Sequence, residues 1–262
     1  MTGLLAVLCG VLGLAVGSFL NVVVHRVPAG ESVVRPASHC PGCGRAVRPR
    51  DNVPVLSWLA LRGRCRDCGE RISVRYPLVE LATGALFAVL AVRFGPDPAL
   101  PAFLYLGAVG IALALIDVAV KRLPDVLTLP SYVVSTVLLA AAVPFGEAGV
   151  GDLLRALGGM AALYAVYFLL VLAYPRGMGF GDVKLAGVLG LYAGWLGWGP
   201  WTVALAGGFL LGGVWSIGLL LLGRAGRGSA IPFGPFMLAG ALLAVLAGEP
   251  LARAYVEVAL GG

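Results

Sequence analysis

The stretch "GMGFGDVKLAG", residues 177–187, stands between two strongly apolar runs and places one carboxylate, Asp182, among four glycines. An ionised carboxylate in hydrocarbon is costly. Acidic side chains at such positions are rare and face a bundle interior or a wet cavity, where they do chemistry. The runs on either side therefore decide what kind of fold could tolerate Asp182.

Those runs are long. Of 262 residues, 60% are hydrophobic and 12% charged, and the mean hydropathy is +0.95. An ordinary soluble domain carries about twice that charged fraction. A helix that crosses a bilayer needs about 20 mostly apolar residues. Eight segments answer to this, at 3–24, 76–94, 101–117, 126–144, 154–174, 183–197, 201–222 and 231–247. The sixth, which follows Asp182, is the shortest and is rich in glycine. The first has no small-residue cleavage site after it and reads as a retained helix. The composition thus predicts an all-α polytopic membrane protein of about eight transmembrane helices.

Charge orients these spans. Between His25 and Tyr76 lie ten arginines and four acids, an excess of six that equals the net charge of the whole chain. The positive-inside rule puts this loop in the cytoplasm. Counting spans from it sets both termini outside. The pairs Lys121/Arg122, Arg176/Lys184 and Arg224/Arg227 then fall inside, whereas Asp97, Glu147 and Asp152 fall outside. Arg93, Arg155 and Arg253 lie near outer ends, against the trend. The basic charge is topological. No aromatic platform or groove helix accompanies it, so no nucleic-acid partner is expected.

The loop holds "CPGC" (Cys40, Cys43) and "CRDC" (Cys65, Cys68), in the pattern C-x2-C-x21-C-x2-C. Two such knuckles bring four thiolates to one tetrahedral Zn²⁺. Two disulfides are the alternative, disfavoured in a reducing compartment. Four cysteines close the coordination shell, so the metal is expected to be structural. A glycine after each pair (Gly44, Gly69) suits the tight turn of a knuckle. Cys9, inside the first span, reads as a small packing residue.

A second membrane carboxylate, Asp117, ends the third span in "ALALIDVAVKRLPD". Parity places it at the same cytoplasmic depth as Asp182, 65 residues away in sequence. Two adjacent carboxyls share a proton. One can take a proton from water while the other donates to a carbonyl under attack. The other reading is that each flanks or caps a helix. Asp125 follows Pro124 and precedes the fourth span, so helix capping or support of the site is expected of it. Gly179 and Gly181 would let the backbone approach a partner helix or a peptide. The chain's only lysines, Lys121 and Lys184, each lie near one of the two aspartates. Either could snorkel or bias a carboxylate.

At this point "GFGDVKL" resembles the GxGD motif of the type IV prepilin peptidases, a family of inner-membrane aspartic peptidases. "GSFLNVVVHRVP" (17–28) is similar to the family's first-helix signature, and residues 38–80 to its cytoplasmic zinc loop. "IDVAVKRLPDVLTLP" (116–130) resembles its first catalytic segment, and "IPFGPFM" (231–237) its final-helix motif. The resemblance implies that Asp117 and Asp182 are the catalytic pair. It implies a bacterial inner-membrane enzyme, active at the cytoplasmic face, that cleaves the basic leader of type IV prepilins or type II secretion pseudopilins. It implies N-methylation of the new N-terminus with S-adenosylmethionine. A peptidase without methyl transfer is the nearest alternative. A transporter using Asp117 and Asp182 as an ion site is another, although no internal repeat supports it.

The organisation expected is a first helix at 1–24, a zinc-binding loop at 25–77 that supports methyl transfer, and peptidase helices at 78–262. The loop and its junctions hold Asn21, His25, Asp51, Asn52, Arg75, Tyr76 and Glu80. Glu80, with Arg75 and Tyr76, is the expected support for methyl transfer, against a plain reading of Glu80 as an interfacial helix-start charge.

Overall fold

The computed structural model describes residues 2–175, 177–224 and 231–260. Arg176 and Arg227, two of the charges used above for topology, lie outside the described residues. The described chain is helical, with no strand beyond two isolated bridges. It divides into two compact units, residues 1–112 and 113–262.

In the first unit, α1 (Thr2–Arg26) runs into the cysteine loop, which carries the short α2 (Leu56–Ala60). The loop returns to α3 (Arg75–Phe94), and α4 (Leu100–Val120) follows. Helices α1 and α3 cross on small residues. A Cβ built on Gly13 would lie 2.7 Å from the Thr83 carbonyl oxygen, and one on Gly17 would lie 2.7 Å from Glu80 Cα. Lipid offers no hydrophobic incentive for helices to associate, so close backbone approach through small residues does the work.

The second unit begins with the end of α4. It adds α5 (Asp125–Ala142), α6 (Val150–Ala173), α7 (Phe180–Leu196), α8 (Trp198–Leu221) and α9 (Gly234–Leu260). Helix α7 is the core, packed against α5, α6, α8 and α9. Thirteen of its 17 residues are buried. This explains why the sixth apolar segment is weak. A helix sheathed by other helices needs no greasy outer face, and its glycines let neighbours close in. A Cβ on Gly194 would lie 2.9 Å from the Arg155 carbonyl oxygen.

Seven helices of the described chain are long and apolar enough to span a bilayer, where about eight were expected; α7, with 17 residues, is not among the seven. The chain is a multi-pass membrane protein. Two boundaries differ from expectation. Helix α4 runs one turn past Asp117. Helix α9 continues to Leu260, with a kink at Ala247. "GEP" at 248–250 reads as a stop, but proline is tolerated in the first turn of a resumed helix. Arg155, an exception to the charge rule, has a local task. Its guanidinium donates to the carbonyls of Gly194 and Trp195 at 2.8 Å each, satisfying the C-terminus of α7.

Candidate active site

The second unit brings Asp117 and Asp182 within electrostatic range of each other. Both are buried, at 5% and 9% exposure. Each is held by a glycine N–H at the start of a helix. Gly179, the residue before α7, donates to Asp182 Oδ2 at 3.1 Å. Gly234, the first residue of α9, donates to Asp117 Oδ2 at 3.0 Å. Backbone N–H groups at a helix start favour negative charge. Oδ2 of each carboxyl thereby accepts a backbone N–H.

Leu123 joins the two halves of the site. A Cβ on Gly181 would sit 3.1 Å from Leu123 Cβ, and one on Gly234 would sit 3.3 Å from Leu123 Cδ2. Close approach is seen at Gly181, against a side chain of the α4–α5 connection and not a partner helix or a peptide. It is not required at Gly179, where a Cβ would meet nothing nearer than Asp182 Oδ2 at 3.6 Å. Behind Asp182 stands Tyr167, itself 2% exposed and within electrostatic range of that carboxyl. Its ring stacks on Phe209 at 5.3 Å and meets Phe233 at 6.4 Å. Phe233 in turn precedes Gly234.

Gly234, Leu123 and Tyr167 escaped sequence reasoning. Gly234 was visible only as part of "IPFGPFM", because its partner is 117 residues away. A Cβ there would lie 2.8 Å from Asp117 Oδ2. Gly234→Ala is therefore expected to push the carboxyl off its N–H and lower turnover at the site about 100-fold, with normal membrane insertion. The check is the single-turnover rate of the purified variant in detergent beside that of Gly179→Ala, which loses activity only if a substrate backbone lies against residue 179.

Asp125 does not cap α5. The position before the helix is Pro124, and no side chain caps it. The Asp125 carboxylate instead crosses to α7 and takes Lys184 Nζ at 2.7 and 2.8 Å. With Pro124 in the cap position, Asp125 is the first residue of α5 and not the residue before it. Lys184 also lies over the Phe180 ring, 5.2 Å from its centroid. Tyr132 Oη donates to the Lys184 carbonyl at 2.6 Å. Lys121 ends α4 with a φ of 53°, its N–H on the Asp117 carbonyl at 2.8 Å. Among the described residues neither lysine pairs with Asp117 or Asp182.

In the first unit, Cys40, Cys43, Cys65 and Cys68 converge, with all four sulfurs within 4.8 Å of one another. No disulfide joins them in this structure. The donor set fits a metal. Ligands 2.3 Å from a tetrahedral zinc stand about 3.8 Å apart, and Cys40 and Cys68 Sγ are 3.7 Å apart. The knuckles repeat one construction. Gly44 N–H donates to the Cys40 carbonyl and Gly69 N–H to the Cys65 carbonyl, with glycine φ angles of 69° and 73°. Backbone N–H groups of Cys68, then of Asp67, lower the pKa of the Cys65 thiol. Burial and the three neighbouring sulfurs raise that of Cys68, so the four sulfurs act on one another as a single cluster.

Salt bridges bind the loop together. Asp67 takes Arg45 and Arg48, and Asp51 takes Arg66 at 2.7 Å. The Arg66 guanidinium holds the Asp51 carboxyl below the usual carboxylate range. Asp51 is thus a structural group of the loop. Glu80 is near the start of α3 and is buried. It is 7% exposed, on α3, and its Oε2 accepts the Val55 N–H at 2.7 Å. Arg75 and Tyr76 are exposed one turn earlier. Asn21 donates to the Tyr76 carbonyl at 3.2 Å.

Comparison with known proteins agrees with this geometry. The family model for the bacterial peptidase A24 N-terminal domain matches residues 11–94, and that for the type IV leader peptidase family matches residues 103–217. A prepilin leader peptidase/N-methyltransferase of Pseudomonas aeruginosa is 39% identical over 280 residues, covering 97% of this chain and 94% of the relative. One of the same name from Aeromonas salmonicida is 37% identical over 275 residues, covering 94% and 92%. One from Pseudomonas putida is 39% identical over 269 residues, covering 93% and 91%. No solved structure matches the chain.

Proposed function

The chain belongs to the type IV leader peptidase family, and from that premise we propose that it cleaves the leader of type IV prepilins or pseudopilins and methylates the new N-terminus. The observation that carries the reading is the buried pair Asp117 and Asp182, each tied by one oxygen to a glycine N–H at a helix start. With one proton between them, the ionised carboxyl takes a proton from water as its oxygen attacks the scissile carbonyl. The protonated one donates to the carbonyl oxygen. Collapse of the tetrahedral adduct breaks the C–N bond, and the amine leaves with a proton from the dyad. No metal and no covalent intermediate are needed. Asp125 and Lys184 support the site by locking the start of α5 to α7.

The site works at the cytoplasmic face of the bacterial inner membrane. The charge of residues 26–75 supports this orientation. The cysteine cluster holds zinc, which folds a loop too small to have its own core. Residues 25–77 and their junctions with α1 and α3 support methyl transfer, and residues 78–262 carry the peptidase. S-adenosylmethionine supplies an electrophilic methyl group to the pilin amine. Glu80 lies at that junction, and a carboxylate and the Tyr76 face suit a sulfonium cation. Arg75 begins the same turn.

Mass spectrometry of a co-expressed prepilin tests both activities at once. Mature, N-methylated pilin is the expected product, and unprocessed pilin would refute the reading. The division of labour has its own test. Glu80→Gln is expected to leave cleavage intact and lower methylation. Asp182→Asn, given pre-cleaved pilin, is expected to methylate normally. Failure of that variant to methylate would mean one shared site.

A further inference from the structure

The loop of residues 27–74 carries an apolar face in an unusual place. Val53, Leu56 and Leu59 are 44%, 65% and 58% exposed. Leu56 and Leu59 are three residues apart on α2 and so share one face. The opposite face is fixed. Ser57 is buried, accepts the Val53 N–H at 2.9 Å and donates to the Arg50 carbonyl at 3.0 Å. Trp58 turns inward, donating to the Ile72 carbonyl at 3.1 Å. The short helix cannot roll to hide its leucines without breaking these bonds.

Two rulers give its depth. Glu80 is five residues into α3, about 7.5 Å along the helix from Arg75. It packs against Gly17, nine residues before the end of α1 and so about 13.5 Å along that helix. Helix α3 has 20 residues, so it is about 30 Å long, no more than the hydrocarbon thickness it must cross. Its sixth residue therefore lies below the membrane surface. Val55 N is 2.7 Å from Glu80 Oε2, which draws the start of α2 to that level.

The backbone bends sharply to get there. Val55 has φ 61° and ψ −50°, and Leu56 N–H donates to the Pro54 carbonyl at 2.6 Å. This is a γ-turn of the strained hand, on a β-branched residue. Strain of this kind persists only where the surroundings over-determine it. Here the buried Glu80 carboxylate holds the turn and directs Leu56 outward.

We infer that α2 is an interfacial anchor: Val53, Leu56 and Leu59 sit in the headgroup–acyl boundary of the bilayer and dock the cysteine loop against the membrane. Arg62 and Arg64, exposed just beyond α2 and in no ion pair among the described residues, are placed for lipid phosphates. An apolar helix face with basic flanks is the composition of an interfacial segment. The excess of positive charge in this loop repels a basic peptide, so lipid is the fitting occupant.

The test uses the full chain in nanodiscs of mixed phosphatidylcholine and phosphatidylglycerol. A photoreactive diazirine residue replaces Leu56, Leu59 or, as a control on the first knuckle, Val47. Adducts are read by mass spectrometry. Lipid adducts several-fold higher at 56 and 59 than at 47 are expected. Equal yields at the three positions, or adducts at 56 and 59 to protein, would overturn the anchor. Because all three side chains are at least partly exposed, the label should not unfold the loop. Metal content of each variant verifies this, and any variant short of metal is replaced by the doubly substituted Leu56→Asp/Leu59→Asp chain. That chain is expected to show several-fold faster proteolysis of residues 27–74 in nanodiscs, and unchanged proteolysis would overturn the anchor equally.

Discussion

Asp117→Asn and Asp182→Asn are each expected to reduce leader cleavage to background, while membrane insertion and detergent stability stay near those of the parent. The amide keeps the shape of the carboxyl, and its oxygen can still accept the N–H of Gly234 or Gly179. What it loses is proton exchange, and a positioned acid or base contributes about 10²–10⁴-fold to rate. Removing either member also removes the shared proton, so the loss should reach the upper end of that range. Asp125→Asn is expected to do far less. Its partner Lys184 is retained, and a half-exposed pair contributes about 0–1 kcal/mol. The measurement is a time course of leader cleavage by each purified variant. Full activity in either Asp117→Asn or Asp182→Asn would refute the dyad. A dead Asp125→Asn beside an active Asp117→Asn would show Asp125 to be the first catalytic aspartate.

The second large effect concerns the metal. One zinc per chain is expected to copurify, and Cys40→Ser should lower metal content and open residues 30–75 to protease. Apparent zinc binding in small domains of this kind is about 10–16 kcal/mol, strongly dependent on pH. That exceeds what the few buried residues of the loop could supply. Acid should act in the same direction. Thiolates must be unprotonated to bind, so metal leaves as pH falls. The Asp51 carboxyl is depressed by Arg66, so its stabilisation is complete above the ordinary carboxylate pKa and is lost as pH falls through its lower folded value. Leader cleavage should partly survive metal removal, because Asp117 and Asp182 are carried by α4 and α7 of the other unit. Elemental analysis and limited proteolysis across pH check these points. Freshly made, unchelated protein without metal would refute the site.

Local chemistry was legible in the sequence, and long-range partnership was not. The four cysteines announced their cluster because the spacing fixes the knuckle and the glycines fix its turn. The helices announced themselves by length and apolarity, and α7 looked weak for the physical reason that it is enclosed. The two aspartates stood out because charge in an apolar setting demands an account. Their glycine N–H donors did not, since a backbone donor leaves no mark on the sequence. Of the two roles expected of Asp125, capping is not seen, because α5 starts one residue too early for it, and its carboxylate pairs with Lys184 instead. Glu80 at the head of an apolar segment read as an interfacial charge or a support for methyl transfer, with no sign of its backbone partner. Only the fold shows the Val55 N–H donating to it.

The enclosure of α7 bears on how the protein is made. A translocon releases a segment into lipid according to that segment's own greasiness, and α7 carries Asp182, Lys184 and several glycines in 17 residues. Alone it is a poor candidate for release. A single residue, Gly197, separates it from α8, which is long and strongly apolar. The two are therefore expected to enter the bilayer together as a hairpin, with α8 carrying its neighbour. The helix that bears Asp182 is thus expected to complete its insertion only after the ribosome has finished the helix behind it.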